Sequence, residues 1–214
     1  MKKTIICCIA LLVCLPGFAG AEYSAENLKK GFVLGVNSSN VSGADFDTKS
    51  RTGYCVGAFI NYQSSERLSY QLELLFNGKG YRRLNVINYD TLGEAYTIDE
   101  VSTILSYIEV PITTKFTIVP TGKYRPYLLG GGFAGILVGD KLRFKDEGGP
   151  ILDVGIENTK SADVGVLIGG GIDLKAGVKS WVSFEVRYEL SFISPIQNVD
   201  YKSRVLGFRA GYWF

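Results

Sequence analysis

The chain has 214 residues, a single-domain length, and its 46% hydrophobic and 21% charged content is not that of a disordered tail. Basic and acidic residues number 23 and 21, which leaves no electrostatic footprint for nucleic acid. Histidine is absent, which excludes imidazole as acid, base or metal ligand.

At the N-terminus, Lys2 and Lys3 precede an 11-residue apolar run, Ile5 to Leu15. Pro16 and Gly17 break it, and Ala19-Gly20-Ala21 has the small-x-small form of a signal-peptidase site. The pattern predicts a secretory signal peptide over residues 1–21, cut after Ala21. The run is too short for a transmembrane helix, which takes about 20 apolar residues. Cleavage leaves 193 residues with 21 basic and 21 acidic side chains, and a single cysteine, Cys55. Residues 22–30 are then expected to be a short periplasmic segment and 31–214 one barrel domain.

Eight stretches follow with apolar residues at every second position, the period of a strand. A short first strand carries Phe32, Leu34 and Val36, and the second carries Tyr54, Val56, Ala58, Ile60 and Tyr62. The third, Arg67 to Lys79, sets Leu68, Tyr70, Leu72, Leu74 and Phe76 opposite Glu73 and Lys79. In the fourth, Ile108, Val110, Ile112 and Phe116 oppose Glu109 and Lys115. The fifth, Tyr124 to Val138, is blurred by glycines. The sixth sets Val164, Val166, Ile168 and Ile172 against Asp163, Asp173 and Lys175. The seventh sets Val182, Phe184, Val186, Tyr188 and Leu190 against Glu185, Arg187 and Glu189. The last sets Leu206, Phe208, Ala210, Tyr212 and Phe214 against Arg209. The apolar faces named here contain no charged residue.

Short and long connections alternate. Residues 63–66, Val119–Lys123 and Ala176–Lys179 are tight turns, whereas Ser38–Ser50, Arg82–Val101, Gly139–Ala162 and Ile193–Lys202 are longer. Outer-membrane barrels have short periplasmic turns, long outer loops and an even strand count. The fold expected is therefore an all-β, eight-stranded antiparallel up-and-down transmembrane barrel in the outer membrane. Tyr62, Tyr70, Phe116, Trp181, Tyr212 and Phe214 at the turn end, and Tyr54, Tyr188, Phe192 and Tyr201 at the loop end, are expected to form two interfacial belts.

The chain ends Phe208-Arg209-Ala210-Gly211-Tyr212-Trp213-Phe214. The aromatics Phe208, Tyr212 and Phe214 resemble the C-terminal strand by which such proteins engage the barrel-assembly machinery. Tyr107-Ile108-Glu109-Val110-Pro111-Ile112 resembles the central strand of the PorT-like family of small outer-membrane barrels. Arg125-Pro126-Tyr127-Leu128-Leu129-Gly130-Gly131-Gly132, Gly169 to Leu174, and Arg187-Tyr188 are similar to neighbouring strands of that family. The resemblance implies the fold, and its named member implies an accessory role in protein secretion.

An eight-stranded barrel has an interior just filled by side chains. Glu73, Glu109, Asp163, Asp173, Glu185, Glu189, Lys79, Lys115, Arg187 and Arg209 fall on the inward face, together with Lys175. Buried charges must be paired, so these predict a salt-bridge network that plugs the lumen. Arg187 or Arg209 is expected to hold Glu73 and Glu109, because the guanidinium fork fits a carboxylate. Cys55 is expected to be an inward filler beside Gly53 and Gly57.

No catalytic, cofactor or metal site is expected. A pair of the loop acids Asp140, Asp146, Glu147 and Asp153 is the candidate for acid–base work, but loop acids are solvated or bind cations weakly. The role expected is structural or interactive, through the long outer loops, in a monomeric barrel surrounded by outer-membrane lipid. Hydrophobic residues in Arg82–Val101 and Gly139–Ala162 suit hairpins that extend above the membrane and pair by an edge with an extracellular partner. A narrow porin-like channel is the second reading, and the secretion accessory is the third.

Overall fold

The computed structural model describes residues 27–43, 47–89, 93, 95–145, 151–156, 159–195 and 201–214. The expected signal peptide and the loop acids Asp146 and Glu147 lie outside these residues. Nine strands follow in chain order: β1 Leu28–Ser42, β2 Lys49–Gln63, β3 Leu68–Tyr89, β4 Ala95–Thr117, β5 Tyr124–Lys145, β6 Leu152–Val154, β7 Ala162–Lys175, β8 Trp181–Ser191 and β9 Lys202–Trp213. All neighbours pair antiparallel. Strand β9 pairs with β1 from Gly31↔Trp213 to Ser42↔Lys202, so eight strands close into a ring. The ninth, β6, lies outside the ring on β5.

Closure removes the free edges that hydrocarbon cannot tolerate. At the seam, Lys30 N–H donates to Phe214 O at 3.2 Å and Phe214 N–H donates to Lys30 O at 3.0 Å. Period-two patterning sorts the side chains. Phe32, Leu34, Leu128 and Ile168 are each more than half exposed on the outside, whereas Leu75, Asn77, Glu109 and Arg187 are buried inside. A soluble monomer rarely carries a continuous apolar band of that kind.

Strand lengths depart from the sequence expectation. The first strand is not short: β1 has 15 residues and takes Leu28 to Lys30 from the segment expected to precede the barrel. Strands β3, β4 and β5 run 22, 23 and 22 residues, against 14, 11 and 12 for β7, β8 and β9. Much of Arg82–Val101 and Gly139–Ala162 is thus strand rather than loop. Beyond Arg82, β3 continues for roughly 23 Å at the usual rise per residue.

Large inward rings fit because glycine stands across the strand from them. Gly171 pairs with Tyr127, and Gly165 with Phe133. A Cβ at Gly171 would lie 2.7 Å from the Tyr127 ring, and one at Gly165 2.7 Å from the Phe133 ring. These glycines are therefore seats for aromatic side chains in a tightly curved sheet.

Candidate functional site: a charged lumen and a projecting sheet

The lumen charges form connected tiers. Toward the loop end, Lys79 Nζ lies 2.6 Å from Glu109 Oε1, 3.0 Å from Asp163 Oδ2 and 3.5 Å from Glu189 Oε2. Ser191 Oγ donates to Asp163 at 3.0 Å, and Asn77 Nδ2 donates to Glu109 at 2.7 Å. Asn37 bonds Asn77 from the neighbouring wall.

At mid-height the arginines take over. Arg187 grips Glu73 with both terminal nitrogens, at 2.7 and 3.1 Å, and its Nε donates to Glu185 at 2.7 Å. Arg209 reaches Glu189 at 2.6 Å and Glu73 at 3.3 Å. Below them, Lys115 donates to Asp173 at 2.7 Å and lies 3.6 Å over the Tyr127 ring. Tyr127 Oη donates to Glu185 at 3.2 Å and joins the lower pair to the arginines.

All of the expected lumen residues therefore face the interior, but two details differ from the sequence reading. Both arginines hold Glu73, while Glu109 takes Lys79. Lys175 has the inward parity but lies beyond the packed region, exposed at the strand end. The uncharged partners Gln71 and Asn77 were legible only as inward parity, and Tyr127 lies on the strand whose faces the glycines blur.

Small cavities are left among the described residues. Two cavities of about 20 Å³ lie toward the turn end, each room for about one water. A third, of about 10 Å³, lies under the loop end beside Val41, Leu105, Tyr107, Ile193 and Pro195. Pro195 is buried there, and its carbonyl accepts Lys160 N–H at 2.9 Å.

Of the residues expected in the two belts, Phe116, Tyr212 and Phe214 are exposed at the turn end and Tyr54, Tyr188 and Phe192 at the loop end, whereas Tyr62, Tyr70 and Tyr201 are half-buried. Trp181 is not in a belt. It has the parity of Glu185 and Arg187 and stacks inside the lumen on Trp213, centroids 5.5 Å apart at 11°. Cys55 is buried on the inward face.

Above the ring, β3, β4, β5 and β6 continue as a sheet with two unlike faces. A bulge shifts the register between β4 and β5: Leu137 pairs with Tyr107 but Gly139 with Ser106, which leaves Val138 unpaired. The bulge reverses the parity of β5. Val101, Phe144 and Leu152 then align on the face that continues the lumen, next to Leu142 and Val154. Lys141, Arg143 and Asp153 align on the face that continues the lipid side.

Arg143 donates to Asp153 at 2.8 and 2.9 Å, and Lys141 does so at 3.0 Å. These hydrogen bonds hold the Asp153 carboxyl well below the usual carboxylate range. Asp140 instead accepts Thr159 Oγ at 2.7 Å. The two described loop acids are thus each engaged with separate partners. Neither flank of the sheet is covered among the described residues: β2 pairs with β3 only as far as Arg82, and β6 pairs only with β5.

This closed ring with an apolar exterior and a charged interior matches the outer membrane protein beta-barrel domain over residues 21–197. The chain belongs to that family. It is an outer-membrane β-barrel, and its apolar band faces lipid. No curated protein matches the chain. Among solved structures this barrel is similar to the attachment invasion locus protein Ail of Yersinia pestis, crystallised with the heparin analogue sucrose octasulfate. That likeness has 16% identity, 88% of this chain and 99% of that chain covered, and a TM-score of 0.43. It is also similar to Neisserial surface protein A, at 12% identity, 87% and 96% coverage and a TM-score of 0.48. For OprG of Pseudomonas aeruginosa the values are 11%, 87% and 92%, and 0.47.

Proposed function

We propose that this barrel is a non-catalytic surface protein whose lumen is plugged by its salt-bridge network and whose activity resides in the projecting sheet. The observation that carries the reading is the doubled length of β3, β4 and β5. Spanning a bilayer takes about 9–11 tilted residues per strand, so the remainder serves something outside it. With the short turns in the periplasm, the sheet stands on the cell surface. Its unpaired flanks offer backbone donors and acceptors to an extended segment of another protein. The apolar row Val101, Phe144 and Leu152 would add side-chain contacts.

Two measurements test the two halves. Refolded protein in a planar bilayer is expected to give no steady conductance, because the residual cavities hold only about one water each. Stepwise, sustained currents would favour the porin-like reading instead. Replacing 85–98 and 143–160 by short turns is expected to abolish surface adhesion of cells while the barrel stays heat-modifiable in detergent. Unaltered adhesion would remove the sheet from the function. The PorT-like resemblance adds the finer reading of a secretion accessory. On that reading the shortened variant loses secretion rather than adhesion.

A further inference from the structure

The turn end of the lumen is built differently from its middle. Lys79, Arg187 and Arg209 each have carboxylates at ion-pair distance. At the turn end, three cations gather around one buried carboxylate. Lys115 holds Asp173. Arg125 lies with its guanidinium 4.1 Å over the Trp181 ring, and its Nε is buried without a hydrogen-bond partner. Among the described residues no carboxylate lies within ion-pair distance of Arg125 or Lys29. Lys29 Nζ lies 4.7 Å over the Trp213 ring, with only Gln63 Oε1 at 3.4 Å. The two tryptophans stack on each other, so Arg125, Trp181, Trp213 and Lys29 form one cation–ring–ring–cation column.

Lys29 lies within electrostatic reach of both Arg125 and Lys115, and of the Asp173 carboxylate as well. The one-water cavity lined by Gln63, Glu66, Thr117, Lys115, Arg125, Asp173 and Trp213 opens at this mouth, and Lys29, which does not line it, stands over Trp213, so a larger anion would sit at the open mouth between Lys29 and Arg125. Glu66 stands exposed on its turn. The surrounding rim adds Lys30, Lys123, Lys175 and Lys179, all exposed. Like charges crowded into a low-dielectric mouth raise the local concentration of anions.

We propose that this mouth binds a phosphate group presented from the periplasm, with Arg125 and Lys29 as its grips. The guanidinium fork matches two phosphate oxygens, and a lysine ammonium meets a third as a point charge. A tetrahedral oxyanion uses such a convergent set more fully than a planar carboxylate does. The phosphate can come from a phospholipid headgroup of the inner leaflet or from a soluble phosphate, and the experiment separates these sources.

The chain has two tryptophans, and both lie in this site, so tryptophan fluorescence excited beyond the tyrosine band reports on it alone. The full-length barrel folded in detergent is titrated with inorganic phosphate against chloride of equal ionic strength. It is also placed in nanodiscs of neutral detergent-like lipid lacking phosphate, with or without added phosphatidylglycerol. Calorimetry of the same additions gives a readout independent of the rings. A saturable response to inorganic phosphate supports the site with soluble phosphate as ligand. A response confined to phosphatidylglycerol supports it with the lipid headgroup as ligand. In either case Arg125→Gln and Lys29→Gln are each expected to weaken binding at least tenfold. Neither side chain holds a carboxylate, so both variants are expected to stay heat-modifiable, and either one suffices for the test. No saturable response, or a response unchanged in a folded variant, overturns the proposal.

Discussion

Arg187 shows how one side chain ties distant parts of the ring together. It leaves β8, crosses the lumen and grips Glu73 on β3 while bonding Glu185 on its own strand. All three are shielded from water, and removing one partner of a buried pair costs about 3–5 kcal/mol because the other charge is left uncompensated. Arg187→Ala is therefore expected to lower the unfolding free energy of the barrel, read from urea titrations in detergent, by an amount in that range. Arg187→Lys is expected to recover only part of it, since an ammonium cannot make the two-pronged contact. Equal midpoints for alanine and wild type would show that the network adds no stability. Residue parity alone put Glu73, Glu109, Arg187 and Arg209 on the inward face. It could not choose among the pairings, because Glu73 and Glu109 share a face and differ only in height and in the neighbour opposite.

At the scale of elements, glycine position matters more than glycine content. A Cβ at Gly131 on β5 would stand 2.0 Å from the Ile112 backbone oxygen on β4, a contact no side-chain motion relieves. A Cβ at Gly139, further along the same strand, would meet Ser106 Cβ at 3.8 Å, an ordinary contact. Gly131→Ala is expected to abolish the heat-modifiable folded form, and Gly139→Ala to leave it intact, as read by gel mobility of boiled and unboiled samples. A folded Gly131→Ala barrel would mean that the β4–β5 seam is looser than its register implies. The bulge at Val138 is the other element-scale feature that the sequence concealed. Simple alternation along β5 would send Lys141 and Arg143 to the lumen face. The one-residue register shift sends them outward to Asp153 and turns Leu142 and Phe144 inward.

For the molecule as a whole, the decisive contact is the seam between the ends of the chain. Phe208, Tyr212 and Phe214 point outward from β9, while the backbone of Phe214 completes the ladder to Lys30. Outward rings add little to lumen packing, so the role proposed for them is in delivery to the membrane. Phe214→Ala combined with Tyr212→Ala is expected to reduce the folded barrel recovered from cells several-fold. Refolding of the purified chain in detergent should be nearly unaffected. Equal recovery from cells would exclude these aromatics as an assembly signal.

By itself the sequence determined which residues meet lipid and which meet the lumen, because a strand's side-chain period is two and the membrane penalises any charge on the wrong face. It also determined that the ring has eight strands, through the alternation of short and long connections. Only the tertiary structure decided how far those strands run. Hairpin pairing continues past the membrane wherever two segments can bond each other, and Arg82–Val101 has no composition that marks where lipid ends. Only the tertiary structure brought Lys29, Lys115 and Arg125 to one mouth. These residues come from three strands, and their meeting depends on the register and closure of the ring, which local periodicity does not encode.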